Sequence, residues 1–194
     1  MDRDFFGFRS EVVARSLLGH LLCRETKEGL VSGIIIETEA YLSSNDSASH
    51  TSRGITKRNA TMFGPPGRAY VYFVYGNYYC LNVVTGPEGS GEAVLIRAVE
   101  PLSGLDLMYQ NRGYIKKTTD LTSGPGKLCL AFAIDHKLDG HDLRKKPLYL
   151  VEQSISARLE VIATPRIGIS SAKEKKLRFI IRGNKYLSRR ESLD

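Results

Sequence analysis

Two apolar runs, Tyr70-Val71-Tyr72-Phe73-Val74-Tyr75 and Tyr78-Tyr79-Cys80-Leu81-Asn82-Val83-Val84, meet at Gly76-Asn77. β-Branched and aromatic residues on both sides of a two-residue, Gly-containing pair predict a tight β-hairpin, because Gly accepts positive φ. Upstream, Ser10 followed by Glu11 to Leu18 predicts a short helix with Ser10 as N-cap; Val12, Val13, Leu17 and Leu18 face the core and Gly19 ends it. Leu21 to Arg24 and Leu30 to Glu37 predict strands about a turn at Lys27-Glu28-Gly29. Further strands are predicted at Ala93 to Val99, Leu148 to Glu152, Leu159 to Ala163, Ile167 to Ile169 and Leu177 to Arg182. Leu102 to Asn111 and Gly126 to Ile134 predict helices, the second introduced by Ser123-Gly124-Pro125-Gly126. Residues 42–69 show little periodicity and predict a long loop with one helical turn at most; structureless loops of that length are usually functional or disordered. Strands outnumber helices and seldom alternate with them, which favours an α+β fold over a doubly wound sheet. With no repeat, low-complexity tract or linker, one domain over residues 1–194 is expected.

Composition narrows this picture in four ways. A chain of 194 residues can bury a core without disulfides or metals. The three cysteines, Cys23, Cys80 and Cys129, are widely spaced and read as buried thiols of a reducing compartment. No apolar run is long enough for a signal or a membrane span, so a soluble intracellular protein without a membrane partner is expected. The net charge of +7 and pI near 9.3 suit a polyanionic partner, without identifying one.

The candidate chemistry lies at four places. The hairpin holds five of the ten tyrosines, and Tyr75 and Tyr78 flank its turn. An aromatic tip on a basic protein can wedge between stacked bases; alternatively it folds back onto its own domain. Glu37 and Glu39 end an apolar strand on the same side of its pleat. A carboxylate desolvated there has a raised pKa suited to proton transfer, whereas a solvated strand end has no special role. His50 sits in the polar loop. Arg97, inside Leu95-Ile96-Arg97-Ala98, should face a carboxylate or an anionic ligand, because a buried arginine needs a partner. The chain has no HExxH, Cys/His cluster, GxSxG or phosphate-binding Gly loop, so neither metal nor cofactor is expected. Gly124-Pro125-Gly126-Lys127 lacks Walker spacing but could hold a backbone phosphate.

A family resemblance joins these parts. Glu37-Thr38-Glu39-Ala40-Tyr41, His50, Arg58-Asn59, Met62-Phe63, Pro66-Gly67, Tyr70-Val71-Tyr72, Tyr75-Gly76, Cys80-Leu81-Asn82, Arg97-Ala98-Val99-Glu100-Pro101 and Ser123-Gly124-Pro125-Gly126-Lys127-Leu128-Cys129 resemble the alkyladenine (3-methyladenine) DNA glycosylase family. The motifs follow family order from about Gly7 to Arg182.

The resemblance implies a single compact α+β domain, a mostly antiparallel curved sheet with flanking helices and a protruding β-hairpin. It implies a monofunctional enzyme that flips a damaged purine from duplex DNA and hydrolyses its N-glycosidic bond, leaving an abasic site. By similarity Tyr75 is the wedge that fills the vacated stack. Tyr41, Tyr72 and His50 hold the extruded base, with backbone groups near Ala48 and His50 reading its edge. Asn82 crowds the exocyclic amino group of guanine. Glu39 is the general base, and Arg97 with the Ile167 carbonyl holds the attacking water. Arg53, Thr56, Lys57, Arg58 and Lys127 are candidate phosphate contacts.

The expected partner is double-stranded DNA containing a damaged purine, met by a monomer in the cytoplasm, at the nucleoid, or in a nucleus. A strict two-residue turn pairs Tyr72 with Leu81 and puts Tyr72 and Asn82 on opposite faces, so a register shift in the hairpin is predicted. Asn77 stands where some relatives have a bulkier apolar residue, and Thr85 to Glu92 is slightly longer than in some. Two other classes remain in view. A non-enzymatic module could stack RNA or single-stranded DNA on these tyrosines, but it leaves Glu39 without a task. An enzyme acting on free nucleosides leaves the basic surface and Tyr75 unexplained.

Overall fold

The computed structural model describes residues 1–74, 76–153 and 159–189. Its elements are α1 (Arg3–Phe6), α2 (Ser10–Ser16), β1 (Leu21–Glu25), β2 (Leu30–Tyr41), β3 (Ala69–Val74), β4 (Tyr78–Thr85), β5 (Glu92–Ser103), α3 (Leu105–Arg112), α4 (Pro125–Ala131), β6 (Leu148–Val151), β7 (Val161–Thr164) and β8 (Arg178–Ile181). The α+β expectation holds: the strands form one curled antiparallel sheet in the order β3-β4-β5-β2-β1-β6, with β8 on β2 and β7 on β8.

Strand β2 organises the sheet. One edge pairs with β5 from Ser32 to Tyr41, while the other pairs first with β1 (Leu30 to Ile34) and then with β8 (Glu37 to Glu39). The β2–β5 register shifts between Ile35 and Thr38, and an extra residue of this kind bends a strand and increases its twist. The consecutive side chains of Ile35 and Ile36, both fully buried, join different apolar clusters. Ile35 packs in the main core with Val13, Leu17, Phe132 and Phe179. Ile36 packs with Ala98, Ile180, Tyr186 and Leu187, so the segment after β8 closes the second cluster.

Several boundaries differ from the sequence expectation, for local reasons. β2 runs on to Tyr41, which places Glu37 and Glu39 within a paired strand rather than at its end. Arg9, not Ser10, is the N-cap of α2; the Ser10 N–H donates to Glu92 Oε2 at 2.7 Å, and Val12 is 49% exposed. Leu102 and Ser103 continue β5, and α3 begins only after Gly104, whose φ of 76° lies in the left-handed region. Residues Ile167 to Ile169 form no strand. All three cysteines are buried and free, as expected.

The hairpin register shift is present. Val74 pairs with Tyr78, Tyr72 with Cys80 and Tyr70 with Asn82, so three residues separate the strands and Tyr70, Tyr72 and Asn82 share a face. Tyr75, the expected wedge, lies outside the described residues.

The long loop is ordered by buried polar side chains, which replace the missing backbone pairing. Asp46 accepts from the N–H of Leu42 and of Ala48. Asn59 Nδ2 donates to the carbonyls of His50 and Gly54, and Thr51 Oγ1 donates to the Gly91 carbonyl. Its only regular piece among the described residues is one 3₁₀ turn, Ala60–Phe63.

Candidate active site

Tyr41 at the end of β2, the β3–β4 hairpin and the segment after β7 border a hollow with two lobes. The first, about 270 Å³, is bounded by Tyr41, Ala48, His50, Tyr70, Tyr72 and Asn82. The second, about 380 Å³, is bounded by Cys80, Arg97, Gly126, Lys127 and Ile167. Tyr41, Tyr72, Val74 and Gly168 border both lobes, so the two tyrosines stand at their junction.

The first lobe is an aromatic box. The His50 ring meets Tyr72 edge-on at 4.6 Å between centroids, and Tyr70 and Tyr72 lie 5.1 Å apart. His50 Nδ1 and the Tyr70 hydroxyl are 3.0 Å apart. Burial pushes the Tyr70 phenol up to about 12, so it stays a donor, and O–H donation to Nδ1 fits a neutral imidazole protonated at Nε2. The His50 pKa is lowered, first by burial and then by the Arg58 cation. Asn82 Nδ2 donates to the Tyr70 carbonyl across the hairpin at 3.1 Å.

Tyr41 is held from two directions. Its hydroxyl donates to Glu39 Oε2 at 3.0 Å, and the Arg166 guanidinium lies 4.7 Å from its ring centroid. Arg166 is fixed in turn by Asp46 in an ion pair with no exposed side-chain surface at either end. Burial raises the Asp46 pKa, but the Arg166 pairing and the N–H groups of Leu42 and Ala48 outweigh it and leave the carboxyl below its ordinary value. Burial, followed by the Glu39 charge, drives the Tyr41 phenol well above its ordinary value, so it remains a donor.

The ionic centre lies beneath the second lobe. Glu39 is completely buried. Its Oε1 accepts from the Ile167 N–H at 2.7 Å, and its Oε2 accepts from Tyr41 and from Arg97 Nη1 at 3.3 Å. Glu37, equally buried, accepts at Oε1 from Arg97 Nε (2.9 Å), Arg178 Nε (2.7 Å) and Ser188 Oγ (2.6 Å), and at Oε2 from the Ser188 N–H (2.7 Å). Arg97 thus faces two carboxylates, in keeping with the expectation that it needs an anionic partner. The expected rise in pKa of a desolvated strand carboxylate does not occur at Glu37: burial raises it, but Arg97 and Arg178 together win, and the net direction is down.

The remaining candidates are placed as follows. Ala48 borders the aromatic lobe, but its N–H is already donated to Asp46 Oδ1 (3.3 Å), and the His50 carbonyl accepts from Asn59. Ile167 touches Glu39 through its N–H; its carbonyl was the expected group. Arg58 Nη2 donates to the Phe73 carbonyl (3.1 Å) and the guanidinium lies 5.6 Å from the Tyr72 ring, so it braces the hairpin. Thr56 exchanges hydrogen bonds with Asn59, while Arg53 and Lys57 are exposed in the same loop. Lys127 borders the second lobe beside Asp120 (3.5 Å) and Ser123. Gly126 lets α4 approach, since a Cβ there would come within 2.9 Å of the Tyr78 ring.

Sequence reasoning missed Asp46, Arg166, Arg178, Ser188 and the wall formed by Gly168 to Ser171. Arg178 carried the same signal as Arg97, a charge inside the apolar run Leu177 to Ile181. The Asp46–Arg166 pair had no local signal, because its members are 120 residues apart.

Comparison with known proteins follows the same outline. A family model described as Methylpurine-DNA glycosylase matches residues 4–185. A Carboxydothermus hydrogenoformans protein named "Putative 3-methyladenine DNA glycosylase" is 49% identical over 191 residues, covering 98% of this chain and 99% of its own. A Methanoculleus marisnigri protein of the same name is 47% identical, covering 96% of this chain and 97% of its own.

Two outcomes are expected from this geometry. The His50 ring followed by NMR titrates with a midpoint below 6.5, staying neutral through physiological pH; a midpoint at or above 6.5 contradicts its placement. Asp46→Asn leaves Arg166 buried without its counter-charge and lowers stability by about 3–5 kcal/mol in urea unfolding; a loss under about 1 kcal/mol contradicts the pair's role under Tyr41.

Proposed function

Since the chain belongs to the Methylpurine-DNA glycosylase family, we propose that it is a monofunctional DNA repair glycosylase, which takes a damaged purine out of the duplex and hydrolyses its N-glycosidic bond with water activated by Glu39. The observation that carries this reading is the state of the Glu39 carboxylate. A carboxylate has about four acceptor positions, and three are filled by Ile167, Tyr41 and Arg97. Among the described residues no donor fills the fourth, which is on Oε1, at the side of the Ile167 backbone. Glu39 has no exposed surface, so a water reaches that position only if Arg97 or the Ile167 segment gives way by a water's width when the nucleotide is seated. Burial at that depth is costly for a carboxylate and has no use in a simple stacking module.

The flipped purine occupies the aromatic lobe, between Tyr41 on one side and Tyr72 with His50 on the other. Stacking of this kind contributes on the order of 1–3 kcal/mol per base. A cationic purine, such as 3-methyladenine or 7-methylguanine, gains further attraction from the electron-rich faces of the tyrosines, and a neutral His50 does not repel it. Its positive charge also activates it as a leaving group. A neutral lesion such as hypoxanthine needs a proton before it departs. Asn82, fixed by the Tyr70 carbonyl, stands where it can oppose an exocyclic amino group. Edge reading falls to the Ala48 carbonyl and the His50 N–H, because the Ser49 N–H and carbonyl are engaged by Asp46 and Ser52. The deoxyribose then lies in the second lobe, where C1′ comes within reach of a water at Glu39 Oε1 and the developing oxocarbenium ion is offset by that carboxylate. Lys127 at the lobe's rim and Arg53 and Lys57 in the loop are the phosphate contacts. Tyr75 is assigned the wedge from its place between β3 and β4.

Single-turnover base release, with enzyme in excess over duplex DNA holding one 7-methylguanine or one hypoxanthine, tests this directly. Wild type releases base; Glu39→Gln binds the duplex within a few-fold of wild type but is slower by about 10²–10⁴-fold. A Glu39→Gln rate near wild type removes Glu39 from the chemistry. Binding without release by wild type on both substrates replaces the enzyme with a binding module.

A further inference from the structure

Glu37 is not needed by the reaction just described, yet it is the most heavily bonded carboxylate beside it. Its four contacts come from three elements: Arg97 on β5, Arg178 on β8, and both the N–H and hydroxyl of Ser188 in the segment after β8. The Arg97 guanidinium is spread over three partners, with Nε on Glu37, Nη1 on Glu39 and Nη2 on Ser188 Oγ at 3.2 Å. Arginine prefers a two-pronged grip on a single carboxylate. Here Glu37 occupies the Nε edge and leaves Glu39 a single, longer contact of 3.3 Å.

We propose that Glu37, with Ser188 behind it, is a positioning residue that divides Arg97 between two carboxylates and so keeps the remaining acceptor position on Glu39 Oε1 unclaimed for the attacking water. Without Glu37, Glu39 is the remaining carboxylate partner of the buried Arg97 among the described residues, and Arg97 closes on it with both prongs. That grip takes the acceptor position on Oε1 and weakens Glu39 as a base. The charge arithmetic favours the observed arrangement, since Glu37 and Glu39 balance Arg97 and Arg178 within one buried cluster. The direction of the Glu37 pKa agrees, for a carboxyl held below its ordinary value stays charged and keeps its hold on Arg97. The β2–β5 register shift at Ile35 to Thr38 sets this geometry, because it brings Glu37 opposite Ala98 and Glu39 opposite Leu95, with Arg97 between. The segment after β8 is therefore part of the site: Tyr186 and Leu187 anchor it on Ile36 and Ala98, and Ser188 reaches the ion cluster.

The proposal rests on Glu39 acting as the base, and the test separates the two ideas. Single-turnover release of 7-methylguanine is measured with saturating enzyme, alongside duplex affinity, for Glu37→Gln, Glu37→Asp, Arg97→Gln and the double variant Glu37→Gln/Arg97→Gln. Saturating enzyme makes the rate constant independent of how much protein is active. Glu37→Gln is expected to be about 10- to 100-fold slower with duplex affinity unchanged, the size of loss that small misplacements cause. Glu37→Asp, which keeps the charge, recovers most of that rate. In the Arg97→Gln background the Glu37→Gln substitution has little further effect, because it acts through Arg97. Should Glu37→Gln fail to fold, Ser188→Ala keeps every charge and slows release several-fold at unchanged affinity. An unaltered rate constant in Glu37→Gln, or in Ser188→Ala if only that variant folds, overturns the proposal while leaving the Glu39 reading intact. Additive losses in the double variant overturn it as well. If wild type itself releases no base, the failure lies with the glycosylase reading.

Discussion

The structure turns on one guanidinium shared by two buried carboxylates. Arg97 is 7% exposed, and Glu37 and Glu39 are wholly buried. Charges in such a place are tolerated only when paired and fully hydrogen-bonded, so each must find partners within the fold. Meeting that demand recruits four parts of the chain. β2 supplies both acids, β5 supplies Arg97, β8 supplies Arg178, and the segment after it supplies Ser188. A fifth, the turn carrying Ile167, fills one acceptor position on the other oxygen of Glu39. The register shift in β2 and the splitting of its edge between β1 and β8 become intelligible as the geometry that lets these groups converge.

The aromatic lobe depends on a second buried pair, Asp46–Arg166, and the two systems meet at Tyr41. The hydroxyl of that tyrosine belongs to the ion cluster through Glu39, and its ring lies over Arg166. Asp46 in turn orders the first part of the long loop, and Arg166 also donates to the Ala40 carbonyl. In the proposed reaction, a base stacked on Tyr41 rests on a ring whose hydroxyl is held by the general base, so that binding and bond cleavage are coupled through one side chain.

What could be seen in the sequence was what local pattern carries. The two apolar runs about Gly76-Asn77 located the hairpin, and the conflict between a strict two-residue turn and a shared face for Tyr72 and Asn82 anticipated its true register. The apolar surroundings of Arg97 announced a buried ion pair. Where the reading went astray, long-range contacts had overridden the local signal. Val12 has helical spacing but faces outward, because α2 meets the sheet through Val13 and Ala14. Ile167 to Ile169 looks like a strand, yet its first N–H is taken by Glu39, 128 residues away, which leaves it as a cavity wall. The loop at residues 42–69 has no periodicity because its order comes from single polar side chains such as Asp46, Thr51 and Asn59.

In the proposed reaction Glu39 works on a water and not on the sugar itself. A carboxylate held by three donors, with one acceptor position left, is built to orient a water from one side; a nucleophile would have to shed some of those bonds to reach C1′. The stereochemistry at that carbon distinguishes the two. Base release run in water with methanol added lets methanol take the water's place, and NMR of the methyl deoxyriboside reports which face was attacked. A water oriented by Glu39 gives a single displacement and an inverted, α-configured product. A retained β product, the outcome of a double displacement through a covalent intermediate on the enzyme, would contradict that role of Glu39.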